Sequence, residues 1–375
     1  MPFVYLNGLN LINFRNYEAL YLEFNPKINL LIGKNGQGKT NIVEAIYLLS
    51  FGKSFRTNKD KELIKFESEN LYIGGNFTKH DRKSLIEIGI GKNNKKGIKI
   101  NKINIEKIYE LLGNLNVVIF SPEDLRLVKE GPKERRVFID KEISQITPKY
   151  YNYLTNYNKI LFQRNKLLKS SYVDMDLIAV YDESLARYGS YIYILRRDFI
   201  KKIASISSKM HKKLTNELEE LTIKYKNQIN LTEEDTVDTV YEKFIKKLKE
   251  GRQHDIDTRT TRYGIHKDDL LICINDLDVR LYGSQGQQRT ASISLKLSEI
   301  ELINNEVGEY PILLLDDIFS ELDETRQKLL VDNLDKVQMF ITTAEASHKK
   351  IFNTENTTIF NIEKGNVISI ENGGN

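Results

Sequence analysis

Tryptophan is absent from these 375 residues and cysteine occurs once, at Cys273. A single thiol excludes an internal disulfide and a cysteine-rich zinc centre. Cys273 lies between Ile272 and Ile274, as a small core residue would. No stretch approaches eighteen consecutive apolar residues, so a membrane-spanning helix is not expected. The opening MPFVYLNGLNLINFRNYEAL lacks the basic start, apolar core and small-residue cleavage site of a secretory leader. A cytoplasmic protein is the economical expectation. Neither charge sign dominates: 56 basic residues against 52 acidic leave +4, which permits a polyanionic partner without demanding one. There is no fixed-period repeat, and low complexity is confined to the closing ENGGN.

What is present fits a soluble globular protein, 40% hydrophobic and 29% charged, long enough for two domains or one elaborated domain. Short apolar runs bounded by Gly, Asn, Pro or Asp read as buried strands, some parallel: INLLI (28–32), VVIF (117–120), ILLL (312–315) and FITT (340–343). Residues 71–77, 84–91 and 98–105 alternate like antiparallel sheet, with a polar turn at 92–97. The middle, from about Lys133 to Glu250, is helical and highly charged. Ile192, Leu195, Phe199, Ile203, Ile206, Met210, Leu214, Leu218 and Leu221 recur three or four apart, which predicts one long helix over about 184–222. Packing within a helical lobe is its simplest use; a coiled-coil arm would need a partner, and 133–170 offers only a shorter one. The expected plan is a discontinuous α/β lobe (1–125 and 255–375) with an inserted helical lobe (126–254).

Gly33-Lys34-Asn35-Gly36-Gln37-Gly38-Lys39-Thr40 matches the phosphate-loop pattern in full. Strand 28–32 feeds it, and Ile42, Val43, Ala45, Ile46 and Leu49 follow at helical spacing. The glycines let successive N–H groups turn toward phosphate oxygens, and the helix N-terminus favours the same anion. Lys39 is then expected to bridge the β- and γ-phosphates of ATP, and the Thr40 hydroxyl to bind Mg²⁺. Downstream, PILLLDD (311–317) is a buried strand ending in two carboxylates. Asp316 suits the Mg²⁺ shell and Asp317 suits polarising an attacking water.

Ser284-Gln285-Gly286-Gln287-Gln288-Arg289 precedes a second helix, and a Ser and a Gly in that position again make an anion-binding terminus. An ordinary helix cap is the plainer reading. A second phosphate cradle finds its use in an isologous dimer, in which Ser284, Gly286 and Gln287 of one copy cover the γ-phosphate held by the other. Ser320-Glu321-Leu322-Asp323 is a polar loop placed to lie along that seam.

The order of these motifs resembles the ATP-binding-cassette ATPases, and among them the RecF family of bacterial recombination mediators. Asn13-Phe14-Arg15-Asn16-Tyr17, Phe120-Ser121-Pro122-Glu123-Asp124-Leu125, Gly131-Pro132, Arg135-Arg136-Val137-Phe138-Ile139-Asp140 and Gly264-Ile265-His266-Lys267-Asp268-Asp269-Leu270 carry the resemblance over about 1–145 and 260–345. It implies an ABC-type P-loop ATPase head: an α/β fold with a mixed sheet, an antiparallel β subdomain and an inserted helical lobe. It also implies ATP-dependent dimerisation and weak, DNA-stimulated ATP hydrolysis. DNA, double-stranded or gapped, would be bound without sequence preference in recombinational repair and replication restart, and RecR and RecO would be partners in recombinase loading.

The sequence departs from the pattern in places. Ile265 and Lys267 replace an expected Pro and Arg, and a Lys point charge is not an Arg fork. Asp317 replaces the more usual Glu, Thr342-Thr343 stand where transporters place a switch histidine, and 121–124 holds no clear Gln loop. Slow hydrolysis suits these differences, and a transporter motor subunit fits them poorly. An SMC-type chromosome-organising head would need a longer arm, and a binding protein with structural ATP would be indifferent to Asp317→Asn. Charge for DNA is expected on helical segments: Arg135, Arg136; Arg196, Arg197, Lys201, Lys202; Lys209, Lys212, Lys213; Lys246, Lys247, Lys249. Arg15 is expected to touch the nucleotide from the first strand, Arg56 to face DNA or phosphate, and His266 to meet nucleotide or brace the Asp268–Asp269 turn.

Overall fold

The computed structural model describes residues 4–93, 95–321, 327, 336–352 and 355–373. Leu322 and Asp323 of the expected seam loop lie outside these. The chain divides into two compact units, Met1–Asp124 with Ile303–Asn375, and Leu125–Leu302. The first boundary stands beside the expected one. The second stands near 302 rather than 254.

The first unit holds two sheets. A hairpin of β1 (Tyr5–Phe14) and β2 (Tyr17–Glu23), which no clear alternation in the sequence announces, joins β4 (Asn70–Lys79), β5 (Arg82–Gly91), β6 (Lys96–Ile100) and β7 (Ile103–Ile105) in an antiparallel sheet ordered β2-β1-β4-β5-β6-β7. The second sheet, ordered β15-β14-β3-β13-β12-β8, is mixed. Its β3 (Ile28–Ile32), β8 (Val117–Phe120), β12 (Ile312–Asp316), β13 (Met339–Thr343) and β14 (Thr357–Glu363) pair in parallel; β15 (Asn366–Asn372) runs antiparallel to β14. These strands are buried along almost their whole length, which is why VVIF and ILLL read as continuous apolar runs and INLLI as one interrupted only by Asn29. Helix α1 (Lys39–Phe51) packs on strands of both sheets, and from Ile42 to Phe51 it is buried all round. Close approach is possible because Gly75 lacks a side chain: a Cβ there would lie 2.3 Å from Leu49 Cδ1.

The second unit is helical with a small sheet. It contains α2 (Arg126–Lys129), α3 (Pro132–Ile146), α4 (Pro148–Leu168), α5 (Met175–Leu214), α6 (Val237–Thr258), α7 (Val279–Tyr282) and most of α8 (Gln285–Val307). Strands β9 (Leu221–Lys226), β10 (Asp269–Ile274) and β11 (Leu277–Asp278) form the antiparallel sheet. Because β10 pairs along its length with β9, residues past 254 belong with the helices, and this moves the second boundary. The long helix is real but starts and stops earlier than its apolar spacing suggested. Asp174 caps its N-terminus by accepting from the Asp176 and Leu177 amides, and positive φ at Asn216 and Glu217 ends it. Leu218 lies beyond the helix, exposed, and Leu221 opens β9. At 40 residues α5 is about 60 Å long and packs against α4, α6 and β9, not as a free arm.

Two buried arginines organise this unit. Arg164 donates to Asp182 (2.7 Å), Asp255 (2.8 Å) and Thr261 (2.8 Å). Arg196 donates to Asp140 (2.7 Å), Asp268 (2.9 Å), the Ile265 carbonyl (2.7 Å) and the Tyr150 hydroxyl (2.9 Å). Arg135 grips Asp269 through two N–H groups, at 2.6 and 3.1 Å, and Arg136 donates to the Asp268 carbonyl. The motifs 135–140 and 264–270, far apart in sequence, are thus one hydrogen-bonded cluster.

Candidate phosphate-binding site

Within the first unit, neighbouring strands β3, β13 and β12 bring their carboxyl ends together, and the residues expected to hold phosphate and metal collect there. The loop 33–40 leaves β3 and opens α1. Gly36 (φ 79°) and Gly38 (φ 118°) take left-handed backbone that a side chain would resist. Gly33 has a different reason: a Cβ there would sit 2.3 Å from the Ile362 carbonyl oxygen. Lys34, Asn35 and Gly36 are exposed at the tip. No side chain caps α1, whose N-terminal amides carry the helix's positive end.

Lys39 is buried at the base of the loop, its Nζ donating to the carbonyls of Gly33 (2.6 Å) and Lys34 (3.3 Å). Burial draws its pKa below the usual lysine value, with the charges of Asp317 and Asp316 opposing the shift. Thr40 Oγ1 donates to Asp316 Oδ1 at 2.9 Å. Thr342 Oγ1 donates to the same oxygen at 2.9 Å and accepts from the Asp317 amide at 2.9 Å. Asp317 itself takes a left-handed φ of 50°, so the chain turns sharply after β12, and its Oδ1 lies 3.4 Å from the same Thr342 hydroxyl. Burial pushes the Asp316 carboxyl upward, Asp317 adds to this, and the Thr342 and Thr40 hydroxyls hold it down. A clustered hydroxyl and carboxylate are hard oxygen donors, and a divalent cation there would offset the buried negative charge. The residues fit Mg²⁺.

Several contacts that shape the loop had no counterpart in the sequence reading. Gln37 is clamped by Asn16, whose Nδ2 donates to its carbonyl (3.1 Å), and by the β14–β15 turn, where Lys364 N donates to Gln37 Oε1 (2.6 Å) and Gly365 N to its carbonyl (3.0 Å). Tyr17 donates to the Gly38 carbonyl. The largest omission is Glu44, fully buried on α1. It accepts from Arg15 Nε (2.8 Å) and Nη2 (2.6 Å), from Ser54 Oγ and from Arg56 (3.3 Å). A lone Glu in an apolar helix gives no local signal of such a role. Arg15 lies on the β1–β2 turn rather than on a strand, and its guanidinium is committed to Glu44 and the Glu62 carbonyl. Arg56 also donates to Asn41.

Ser284, Gly286 and Gln287 lie in the second unit at the start of α8, with Ser284 and Gly286 exposed. Ser284 and Gln287 cap one another: Gln287 N donates to Ser284 Oγ (3.2 Å), and Ser284 N to Gln287 Oε1 (2.9 Å). Gln287 Nε2 is held by Glu219, which also faces His211. His266 contacts Tyr157 and the Thr261 carbonyl, and its place is in the buried cluster of this unit. Among the described residues no cluster of three or more metal-ligating side chains occurs, and no helix is long and apolar enough to cross a membrane.

A phosphate loop on a parallel β3, a carboxylate pair at the end of the neighbouring β12, an antiparallel subdomain and a helical unit define the fold of an ABC-type P-loop ATPase head. The model of the RecF/RecN/SMC N terminal domain matches residues 5–367, and the chain belongs to the RecF family of this ATPase superfamily. It is 74% identical over 370 residues to the DNA replication and repair protein RecF of Clostridioides difficile (strain 630), covering 99% of this chain and all of that protein. To the protein of the same name in Alkaliphilus oremlandii it is 51% identical, covering 94% and 96%. A solved structure of the recombination mediator protein RecF with ATP, in the RecFOR pathway, superimposes with TM-score 0.90 at 39% identity, covering 98% of this chain and 97% of that one. An Smc head domain from Pyrococcus furiosus, at 16% identity and TM-score 0.55 over 97% and 94%, shares the fold alone.

Proposed function

We propose that the chain is a nucleotide-switched DNA-binding protein of recombinational repair and replication restart, with weak ATP hydrolysis as its release step. The observation that carries this reading is the Thr40–Asp316 contact, which joins the phosphate loop to the strand-end carboxylate in a member of the RecF family. Loop amides 33–40 and Lys39 hold the triphosphate, and Thr40 and Asp316 hold Mg²⁺, which when bound neutralises phosphate charge. Asp317 orients the attacking water, its amide pinned to Thr342 and its carboxylate 3.4 Å from the same hydroxyl. Arg15 anchors the β1–β2 turn to α1 through Glu44, and its neighbours Asn16 and Tyr17 brace the loop at the Gln37 and Gly38 carbonyls.

Ser284, Gly286 and Gln287 of a second copy cover the γ-phosphate. Exposed Leu281 and Tyr282 beside them support a surface that is covered in the working state. DNA, duplex or gapped, is bound through its phosphates, and RecR and RecO are the partners that family membership suggests. The test is duplex binding across a salt series with and without Mg²⁺-ATP, for the parent chain, Lys39→Ala and Ser284→Arg. The reading expects ATP to stimulate the parent only, with Ser284→Arg still binding nucleotide. Binding indifferent to ATP in the parent would overturn it.

A further inference from the structure

The helical charge clusters that the sequence offers for DNA are largely committed elsewhere. Arg135 and Arg196 are buried against Asp269, Asp140 and Asp268, and Arg197, Lys201, Lys212 and Lys247 pair with neighbouring acids. A different segment keeps its charge. Residues 79–107, from the end of β4 past β7, hold nine basic side chains against three acidic ones, a surplus of six in a chain whose whole surplus is four. The helical stretch 133–250 reaches the same surplus, 23 against 17, only over four times the length.

Geometry gathers part of this charge, Lys83, Lys99 and Lys102, on one surface. Ile86, Ile88 and Ile90 of β5 and Ile98 of β6 are buried, so the alternate residues face outward. Lys99 lies opposite Glu87 of β5 and Asn104 of β7, and Lys83 shares the outward register of Glu87. The β6–β7 turn, Asn101 (φ 50°) and Lys102 (φ 68°), is tied alongside Leu85 by two hydrogen bonds, Asn101 N to Leu85 O (2.8 Å) and Leu85 N to Asn101 Oδ1 (2.9 Å). That brings Lys102 beside the strand carrying Lys83. Lys79, Lys92 and Lys96 have carboxylate partners in Glu309, Glu69 and Asp60. The exposed side chains of Arg82, Lys83, Lys95, Lys99 and Lys102 have no hydrogen bond or ion pair among the described residues. The carboxylate on the outward face, Glu87, is held by the Tyr72 hydroxyl.

We propose that the outward face and turns of β5–β7 form a track for the nucleic-acid phosphate backbone, an assignment that rests on the DNA-binding reading above. Flexible lysines with no aromatic anchor among them suit phosphates; protein interfaces are depleted in lysine and enriched in aromatics. The ten-residue β5 spans about 30 Å at about 3.3 Å per residue. That is comparable with roughly nine base pairs of duplex at about 3.4 Å each.

The experiment uses the full chain with Mg²⁺-ATP, a 30-base-pair duplex and fluorescence anisotropy over a KCl series. The variant is Lys83→Gln/Lys99→Gln/Lys102→Gln, and the control is Lys209→Gln/Lys213→Gln/Lys249→Gln on the helices. The salt slope of log K should fall by roughly 2 to 3 in the sheet variant, about 0.9 for each phosphate no longer neutralised, with tenfold or greater weakening. Its affinity for a fluorescent ATP analogue should be unchanged, and the control should keep the parent's slope. A sheet variant with the parent's slope overturns the track while leaving DNA binding intact. A parent with no salt-dependent binding overturns both.

Discussion

Thr40 and Asp316, 276 residues apart, meet through a 2.9 Å hydrogen bond from hydroxyl to carboxylate. The bond exists because β13 alone separates β3 from β12, so the loop after one strand and the acids ending the other face a common space. Thr342, on that intervening strand, completes the arrangement by bonding Asp316 and the Asp317 amide. Asp316→Asn should leave metal-free ATP binding unaltered and abolish most of what Mg²⁺ adds. That loss is expected to be tenfold or more, about 1.4 kcal/mol, by titration with and without EDTA.

Gly33 and Gly36 carry different demands and should answer differently to alanine. The Cβ of Gly33→Ala would strike the Ile362 carbonyl oxygen, a backbone atom that cannot swing aside. Its expected cost is about 2 kcal/mol or more of stability. A Cβ on Gly36 meets nothing within 4 Å, and only its left-handed φ is strained, costing roughly 1–2 kcal/mol. Thermal melts of the two variants should rank accordingly.

Arg196 is buried among Asp140, Asp268 and Tyr150, so its removal leaves charge without a partner. Arg196→Ala should destabilise the second unit by about 3–5 kcal/mol. Adding Asp268→Asn should restore part of the loss, because the orphaned charge is then gone. Chemical denaturation of both variants checks this, and additive losses would deny the pairing.

His266 titrates against burial. Its ring accepts from the Tyr157 hydroxyl and donates to the Thr261 carbonyl, and desolvation lowers its pKa to about 4. The neutral form is therefore the folded one. Its contribution is complete above the ordinary histidine value near 6.5 and is lost as pH falls toward 4, amounting to roughly 3 kcal/mol across that window. In His266→Gln the melting temperature should vary less between pH 7 and pH 4.5 than in the parent.

Much of the phosphate site was legible because its chemistry is local. A loop that must expose consecutive amides needs glycines at fixed spacing, and a strand buried on both faces announces the acids at its end. The roles of Glu44 and Asn16 were not legible, because they depend on which turns fold over α1, and no period in the sequence encodes that. The long helix was misplaced by several residues for a similar reason. Leu218 and Leu221 continue the apolar spacing, but positive φ at Asn216 and Glu217 breaks the helix before them. The arginines 135 and 196 were read as surface charge, since a sequence shows basic residues without showing the aspartates folded onto them.

The central claim is that bound nucleotide joins two copies of this chain, and sedimentation velocity of the full chain tests it most directly. With saturating Mg²⁺-ATP the parent should sediment as a dimer and Ser284→Arg as a monomer, although both bind the nucleotide. A parent that remains monomeric when saturated with Mg²⁺-ATP, or a Ser284→Arg variant that pairs as well as the parent, would contradict the account.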